Sequence, residues 1–278
     1  MDGKAVAQRI RARLADEVAG LGSVGLATVL VGDDSASHLY IGMKHRACEE
    51  VGITPFDHKL PATTTQAELI ALVEQLNEDD RVDGILVQSP LPEGLDETEA
   101  FRTIEPVKDI DGLGPFNLGQ LVDGRSGHVS ATPAGCMTLL AEYGVELEGR
   151  RAVVIGRSVL VGKPVALLLL ASNATVTICH SRTQELAEHL RGADVVVAAV
   201  GVQHLVKPDM VKPGAVLVDV GQVVVDGVLS GDIDPACAEV ASLITPVPGG
   251  VGPMTIACLL QNAVRCARYR RGALSYPA

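Results

Sequence analysis

The chain has 278 residues, a length that fits two ordinary domains better than one, and with 47% hydrophobic but only 3% aromatic residues its core must be Val, Leu, Ile and Ala. A formal net charge of −11 argues against a general nucleic-acid or anionic-membrane surface, though local basic groups can still take a phosphorylated ligand. Six scattered cysteines with no C-x-x-C pair argue against a zinc site or a disulfide framework, so no metal is expected; with no apolar signal core and no run approaching the ~18 residues of a membrane span, a cytoplasmic protein is expected.

In chain order, Asp2-Gly3 can cap a helix through about residue 18, with Val6, Ile10, Leu14 and Val18 at spacings of four. A strand over 26–31 ends in Gly32-Asp33-Asp34-Ser35, and a second helix starting near 35 carries Tyr40 and Lys44. A strand over 53–60 follows, then a helix to about 76 for which Thr65 and Glu68 form a capping box. A strand over 82–88 runs into Ser89-Pro90-Leu91-Pro92. Repeated strand–helix alternation predicts a parallel sheet covered by helices. Tyr40 and Lys44, four residues apart, point from one helix face. An exposed lysine near a tyrosine is commonplace, but here the helix follows a strand end and a second strand end supplies Gln88, where open α/β sheets bind ligands. A lysine there can carry protons if burial lowers its pKa from about 10.4 towards neutrality.

Lys108-Asp109-Ile110-Asp111-Gly112 lies between prolines and reads as a loop. Its two carboxylates are either a solvated turn or point to opposite sides, one into a site. From Asn117 the chain crosses towards a second half, and a helix from Thr132-Pro133 through Tyr143 serves as a linker. The stretch 151–183 is strand, glycine turn, helix, strand: Val153-Val154-Ile155, Gly156 to Gly162, Pro164 at the first helical turn, and Thr175-Val176-Thr177-Ile178-Cys179. The glycines let the backbone approach a pyrophosphate at the positive helix end, although Gly156-x5-Gly162 departs from G-x-G-x-x-G. Where an NAD site places Asp or Glu on the ribose 2′-hydroxyl, this chain has His180-Ser181-Arg182-Thr183. Hydroxyls flanking a guanidinium suit a 2′-phosphate, so NADP is expected; a plain polar turn is the alternative.

Further on, a helix over 184–190 and strands over 194–200 and 215–220 continue the alternation. Residues 223–229 read as a hairpin turning at Asp226-Gly227, either a dimer contact or a tucked-in ribbon. The run 244–253 is too rich in Pro and Gly for helix or strand, and Gly249, Gly250 and Gly252 suggest backbone close to a ligand. A last helix over about 254–268 is expected to pack back on the first domain. The expected plan is α/β with residues 1–120 as an N-terminal catalytic domain, 121–278 as a Rossmann-type dinucleotide domain, and a cleft between them.

Six segments in order resemble one family, the bifunctional methylenetetrahydrofolate dehydrogenase/cyclohydrolases. They are Ser37-His38-Leu39-Tyr40 to Lys44, Val87-Gln88-Ser89-Pro90-Leu91-Pro92, Lys108 to Gly112, Gly156-Arg157-Ser158 to Gly162-Lys163-Pro164, His180 to Thr183, and Pro246-Val247-Pro248-Gly249-Gly250-Val251-Gly252-Pro253-Met254-Thr255. The resemblance implies a central catalytic role for Lys44, modulation by Gln88, Tyr40 lining the folate pocket with Val87 and Ser89, and Asp111 anchoring the pterin. It implies NADP contacts at Gly156, Arg157, Ser158, Ser181, Arg182 and Thr183, and a folate-side wall at Pro248, Gly249, Gly250, Val251 and Gly252. It further implies tetrahydrofolate substrates, one-carbon metabolism feeding purine biosynthesis, and a homodimer. Three positions depart from the family pattern: Ser89 for a common leucine, Ala131 for a frequent cysteine, and Gln222-Val223 for the usual Ile-Asn. Gln222 either shifts the NADP/NAD preference or bonds the nicotinamide amide. A dehydrogenase of a shikimate-type alcohol would share the plan but leaves Tyr40, Lys44, Gln88 and Asp111 unexplained together.

Overall fold

Two all-parallel sheets organise the chain. The computed structural model describes residues 1–125 and 127–277, and for residues 35–39 it describes the backbone alone. The chain divides into two compact units, Arg9–Ser130 with Leu259–Ala278, and Met1–Gln8 with Ala131–Cys258.

In the first of these, β1 (Val24–Val31) is the middle strand, with β2 (Ile53–Leu60) on one side and β3 (Gly84–Val87) on the other. All eight residues of β1 are buried, as a parallel strand covered on both faces requires, whereas β2 alternates between covered and exposed positions at the sheet edge. Helices α1 (Gly3–Leu21), α2 (Ser35–Val51) and α3 (Gln66–Glu78) alternate with these strands. The capping box at α3 forms as expected: the Glu68 N–H donates to Thr65 Oγ1 at 3.3 Å, and the Thr65 N–H to Glu68 Oε2 at 2.8 Å. At its other end the buried Lys108 ammonium donates to the carbonyls of Leu76, Asn77 and Asp79, satisfying groups that a helix end leaves unpaired. This seats the 108–112 loop beside β3, where Asp109 makes a single parallel bridge to Ile85.

Two short helices were not expected from the sequence. Helix α4 (Glu97–Thr103) starts at Asp96, whose carboxylate accepts from the Thr98 and Glu99 N–H groups. Helix α5 (Pro115–Val122) begins with proline inside its first turn, so Gly114-Pro115 closes a loop rather than extending one. Each spans only about two turns, short of the roughly 11 residues over which a helical pattern becomes legible in sequence.

The second unit opens with α6 (Ala131–Glu142) and holds a five-stranded sheet. Its order is β10 (Leu243–Ile244), β7 (Val216–Asp219), β6 (Val195–Ala198), β4 (Arg151–Ile155) and β5 (Thr175–Cys179). From β4 the chain passes through α7 (Gly162–Ala171) out to β5, then through α8 (Leu186–Arg191) back to β6 on the other side of β4. The direction of winding therefore reverses between β4 and β6, and the crevice beyond their carboxyl ends is where such a sheet takes a nucleotide. The hairpin forms as β8 (Val223–Val225) and β9 (Val228–Ser230), with Asp226 and Gly227 both at positive φ, as a tight two-residue turn demands.

The 244–253 run departs from expectation at both ends. Ile244 pairs with β7, and α9 (Val251–Arg270) starts before Met254 because Pro253 in a first helical turn gives up no hydrogen bond. All six cysteines are buried thiols outside any disulfide. Among the described residues no helix is long and apolar enough to cross a membrane.

Candidate active site

Lys44 leaves α2 half-buried, and its Nζ donates to Gln88 Oε1 at 2.9 Å. Gln88 follows β3 directly. Its backbone N–H donates to the Val29 carbonyl at 2.8 Å, so the sheet ladder itself fixes where the side chain starts. Its amide Nε2 donates to the Ser89 carbonyl at 2.6 Å, which leaves Oε1 as the atom turned to the lysine. Glu97 Oε1 accepts from Ser89 Oγ at 2.8 Å and from the Leu91 N–H at 2.7 Å, tying the turn after β3 to α4. Tyr40, one turn before Lys44 on the same helix face, is 41% exposed. Val87 is buried in the core that β1, β3 and α3 share, so its side chain supports the strand end from behind. Ser37, His38 and Leu39 lie outside the described side chains.

The two carboxylates of the 108–112 loop separate in role. Asp109 turns inward and accepts from the Gly114 N–H at 2.8 Å, the Asn117 Nδ2 at 2.9 Å and the Leu113 N–H at 3.3 Å. Asp111 instead lies within electrostatic range of Lys44, and its charge acts on that amine. The backbone between them is clamped from α9, where Asn262 Nδ2 donates to the Ile110 and Val129 carbonyls, both at 2.8 Å. Burial pulls the Lys44 pKa below that of an ordinary lysine, and the Asp111 carboxylate pulls the other way. Burial lifts the Asp111 carboxyl above the usual range, and Lys44 opposes that lift. The pair is thus an amine that sheds its proton more readily than in water, beside a carboxyl that accepts one more readily.

The end of the sheet at β4 and β5 forms a cradle of two tight turns, the candidate nucleotide site. Gly156 ends β4 at φ 126°, and an added Cβ would stand 2.5 Å from the Ala199 carbonyl oxygen. A Cβ on Gly162, which opens α7, would overlap the Gly156 carbonyl. The Ser158 hydroxyl accepts from the Val161 and Gly162 N–H groups, at 3.1 and 3.4 Å, and so shapes the turn, while exposed Arg157 stands clear of it. After β5, Thr183 Oγ1 accepts from the His180 N–H at 2.8 Å and closes the turn, leaving Ser181 and Arg182 exposed. The 180–183 turn holds no carboxylate to repel a 2′-phosphate. Both features fit NADP: a close-approach turn at the positive end of a ten-residue helix, and a cation with a hydroxyl at the ribose end.

The glycine run before α9 has a packing reason that the sequence did not reveal. A Cβ on Gly250 would stand 2.6 Å from the Pro246 carbonyl oxygen and 2.7 Å from Thr245 Cβ, and Gly249 sits at φ 108°. Pro248 is exposed and Val251 buried in the first turn of α9. Gln222 reaches over that turn, its Nε2 3.0 Å from where a Cβ on Gly252 would be. Glu97, Asn117 and Asn262, which hold the site from behind, escaped sequence reasoning. Each is a lone polar residue outside any motif, and only the chain crossings show what it holds.

Two family models divide the chain between them. Residues 1–111 match the tetrahydrofolate dehydrogenase/cyclohydrolase catalytic domain, and residues 130–271 match the NAD(P)-binding domain of the same family. The chain belongs to the tetrahydrofolate dehydrogenase/cyclohydrolase family. Lys44, Gln88, Tyr40 and Asp111 fall in the stretch matched by the catalytic model, and the glycine turn and the 180–183 turn in that matched by the nucleotide-binding one. Among relatives of this tetrahydrofolate dehydrogenase/cyclohydrolase, the bifunctional protein FolD of Magnetococcus marinus is 56% identical, over 96% of each chain. The crystal structure of the bifunctional FolD enzyme from Campylobacter jejuni superposes with a TM-score of 0.96 at 44% identity, covering 97% of this chain and 98% of that one. The Trypanosoma brucei FolD structure, a complex with NADP and an inhibitor, gives a TM-score of 0.94 at 39% identity over 99% of this chain and 98% of that one.

Proposed function

We propose that Lys44 is the central catalytic group and handles the protons of the hydrolytic step, with Gln88 orienting it and Asp111 holding the pterin. The enzyme oxidises 5,10-methylenetetrahydrofolate to 5,10-methenyltetrahydrofolate with NADP⁺ and hydrolyses the product to 10-formyltetrahydrofolate. The hydrogen bond from Lys44 Nζ to Gln88 Oε1, made by an amine whose pKa burial lowers, carries the assignment.

NADP⁺, when bound, supplies the hydride acceptor. The protein's part in that step is alignment: the 156–162 turn receives the pyrophosphate, and Ser181 and Arg182 receive the 2′-phosphate. For hydrolysis, water adds to the methenyl carbon of the cation and neutral Lys44 takes the proton released. The same proton then goes to the departing ring nitrogen as the carbon–nitrogen bond breaks, and the remaining hydroxyl proton leaves to solvent as the formyl carbonyl forms. Gln88 keeps Nζ on the folate side, because the Ser89 carbonyl already holds its amide nitrogen. The cationic folate itself disfavours a second positive charge on Lys44. Residues 1–120 bind folate in this reading, with Tyr40, Val87 and Ser89 at the pocket, and 121–278 bind NADP, with Pro248 to Gly252 as the folate-side wall. The enzyme acts as a cytoplasmic homodimer, and the exposed Val224 and Val228 of the hairpin support that hairpin as the dimer contact.

The assay that tests this follows NADPH formation from methylenetetrahydrofolate, and separately the loss of methenyltetrahydrofolate, with NADP⁺ and NAD⁺ side by side. Arg182→Ala is expected to raise KM for NADP⁺ about tenfold or more while leaving that for NAD⁺ nearly unchanged, since each charge-assisted contact to a phosphate is worth about 1.5–3 kcal/mol. Equal losses with both nucleotides would remove Arg182 from the 2′-phosphate.

The pairing of Lys44 with Asp111 predicts a pH effect. Hydrolysis needs the neutral amine, so kcat rises with pH through the Lys44 pKa. The Asp111 charge favours the ammonium form, so its removal lowers that pKa. In Asp111→Asn the ascending limb of the kcat–pH profile should therefore move to lower pH. A limb that stays in place would separate the two residues.

A further inference from the structure

Beyond β6 and β7 lies a buried pair of carboxylates that the reaction does not use. Asp232, fully buried, accepts from three successive backbone N–H groups: Val200 at 2.7 Å and Gly201 at 3.2 Å on Oδ2, and Val202 at 2.7 Å on Oδ1. Asp219, the last residue of β7, accepts in turn from the N–H groups of Gly221 and Asp232, both at 3.0 Å, and of Ile233 at 2.9 Å. Glycines stand where these carboxylates need room. A Cβ on Gly221 would overlap Asp232, and one on Gly231 would overlap Asp219.

What the relay holds is the turn that leaves β6. That turn stands at the winding reversal, directly beside the nucleotide cradle: the Ala199 N–H continues the ladder to Ile155 at 2.8 Å, and the Ala199 carbonyl is the group that a side chain on Gly156 would strike. With all three amides turned inward to Asp232, the turn has none left to offer a phosphate. It presents the side chains of Val200 and Val202 instead, 37% and 49% exposed. Two outward valines at the carboxyl end of a parallel sheet make an apolar floor of the kind that a planar base or a nicotinamide ring lies against.

We propose that Asp232 is a positioning residue for NADP, shaping the 200–202 turn into the apolar part of the nucleotide site while the 156–162 turn takes the phosphates. The inference rests on the NADP reading above and concerns residues outside the phosphate-binding turns. An amide at this position would set N–H against N–H for at least one of the three bonds and push the turn outward.

The test compares Asp232→Asn with Asp234→Asn. Asp234 is the neighbouring carboxylate that caps the 235–239 turn and pairs with Lys207 at the surface, away from the cradle. NADPH binding is followed by its fluorescence, without turnover, and methenyltetrahydrofolate hydrolysis is followed without nucleotide. Asp232→Asn is expected to weaken NADPH by about 10-fold or more, up to the ~100-fold that an ångström of misplacement costs a positioned group, with kcat and KM for hydrolysis unchanged and the Asp234→Asn affinity like wild type. Val202→Ser, a surface change that any folded form tolerates, is expected to weaken NADPH about threefold or more through lost apolar contact. If Asp232→Asn binds NADPH as wild type does, or if binding and hydrolysis fall together, the positioning role is overturned. Unchanged affinity in Val202→Ser would likewise overturn the apolar floor. If Arg182→Ala also left NADP⁺ and NAD⁺ undistinguished, the fault would lie in the NADP reading rather than in Asp232.

Discussion

Lys44→Met yields an enzyme that still binds NADP but no longer hydrolyses methenyltetrahydrofolate. Methionine keeps the unbranched length of the lysine stem, so α2 has no steric reason to shift, but Gln88 Oε1 loses its 2.9 Å donor and the site loses the amine whose charge acts on Asp111. A positioned proton acceptor contributes about 10²–10⁴-fold to such a step, and hydrolysis measured by methenyl absorbance should fall by that factor. NADPH affinity should stay within about twofold, because the nucleotide cradle is built from residues of the other compact unit. Full hydrolysis in this variant would reject the role of Lys44. The remaining carboxyl should also protonate more readily, since Lys44 is what holds the Asp111 pKa down.

The mirror-image result is expected at the cradle. In Gly162→Val the new Cβ meets the Gly156 carbonyl and lies 2.8 Å from the Arg157 nitrogen, backbone against backbone, so no rotamer change relieves it. The turn must open, and a displacement of an ångström costs about 10²-fold in a positioned reaction. Dehydrogenase activity and NADPH affinity should fall together, while hydrolysis of supplied methenyltetrahydrofolate persists because that step uses only water and the Lys44 site. Overpacking of this kind also costs about 1–3 kcal/mol of stability, which thermal unfolding would register. Retained NADPH affinity would show that the turn does not touch the pyrophosphate.

Much of the site could be read from the chain because its parts are local. Tyr40 and Lys44 share a helix face, Gly156 and Gly162 bracket one turn, and the residues after β5 lie in one run of four. The capping box at Thr65 and the hairpin at Asp226-Gly227 are likewise decided within a few residues, by the hydrogen bonds and φ values those side chains permit. Misreadings arose where tertiary packing overrides local preference. Residues 251–253 join α9 despite two successive helix breakers, and α4 and α5 are too short for a helical pattern to be legible.

Alternation of apolar strands with helices, together with the chemistry at the strand ends, thus pointed from sequence alone to the α/β class, to NADP as the cofactor and to the candidate lysine. Only the folded chain decided which of two aspartates acts on Lys44, that Lys108 caps α3 from within the core, and that Asp232 gathers the amides after β6. The reason is separation. Those partners lie about 30 residues or more apart, and no local pattern encodes which buried polar group will satisfy which orphaned donor until the strands have paired.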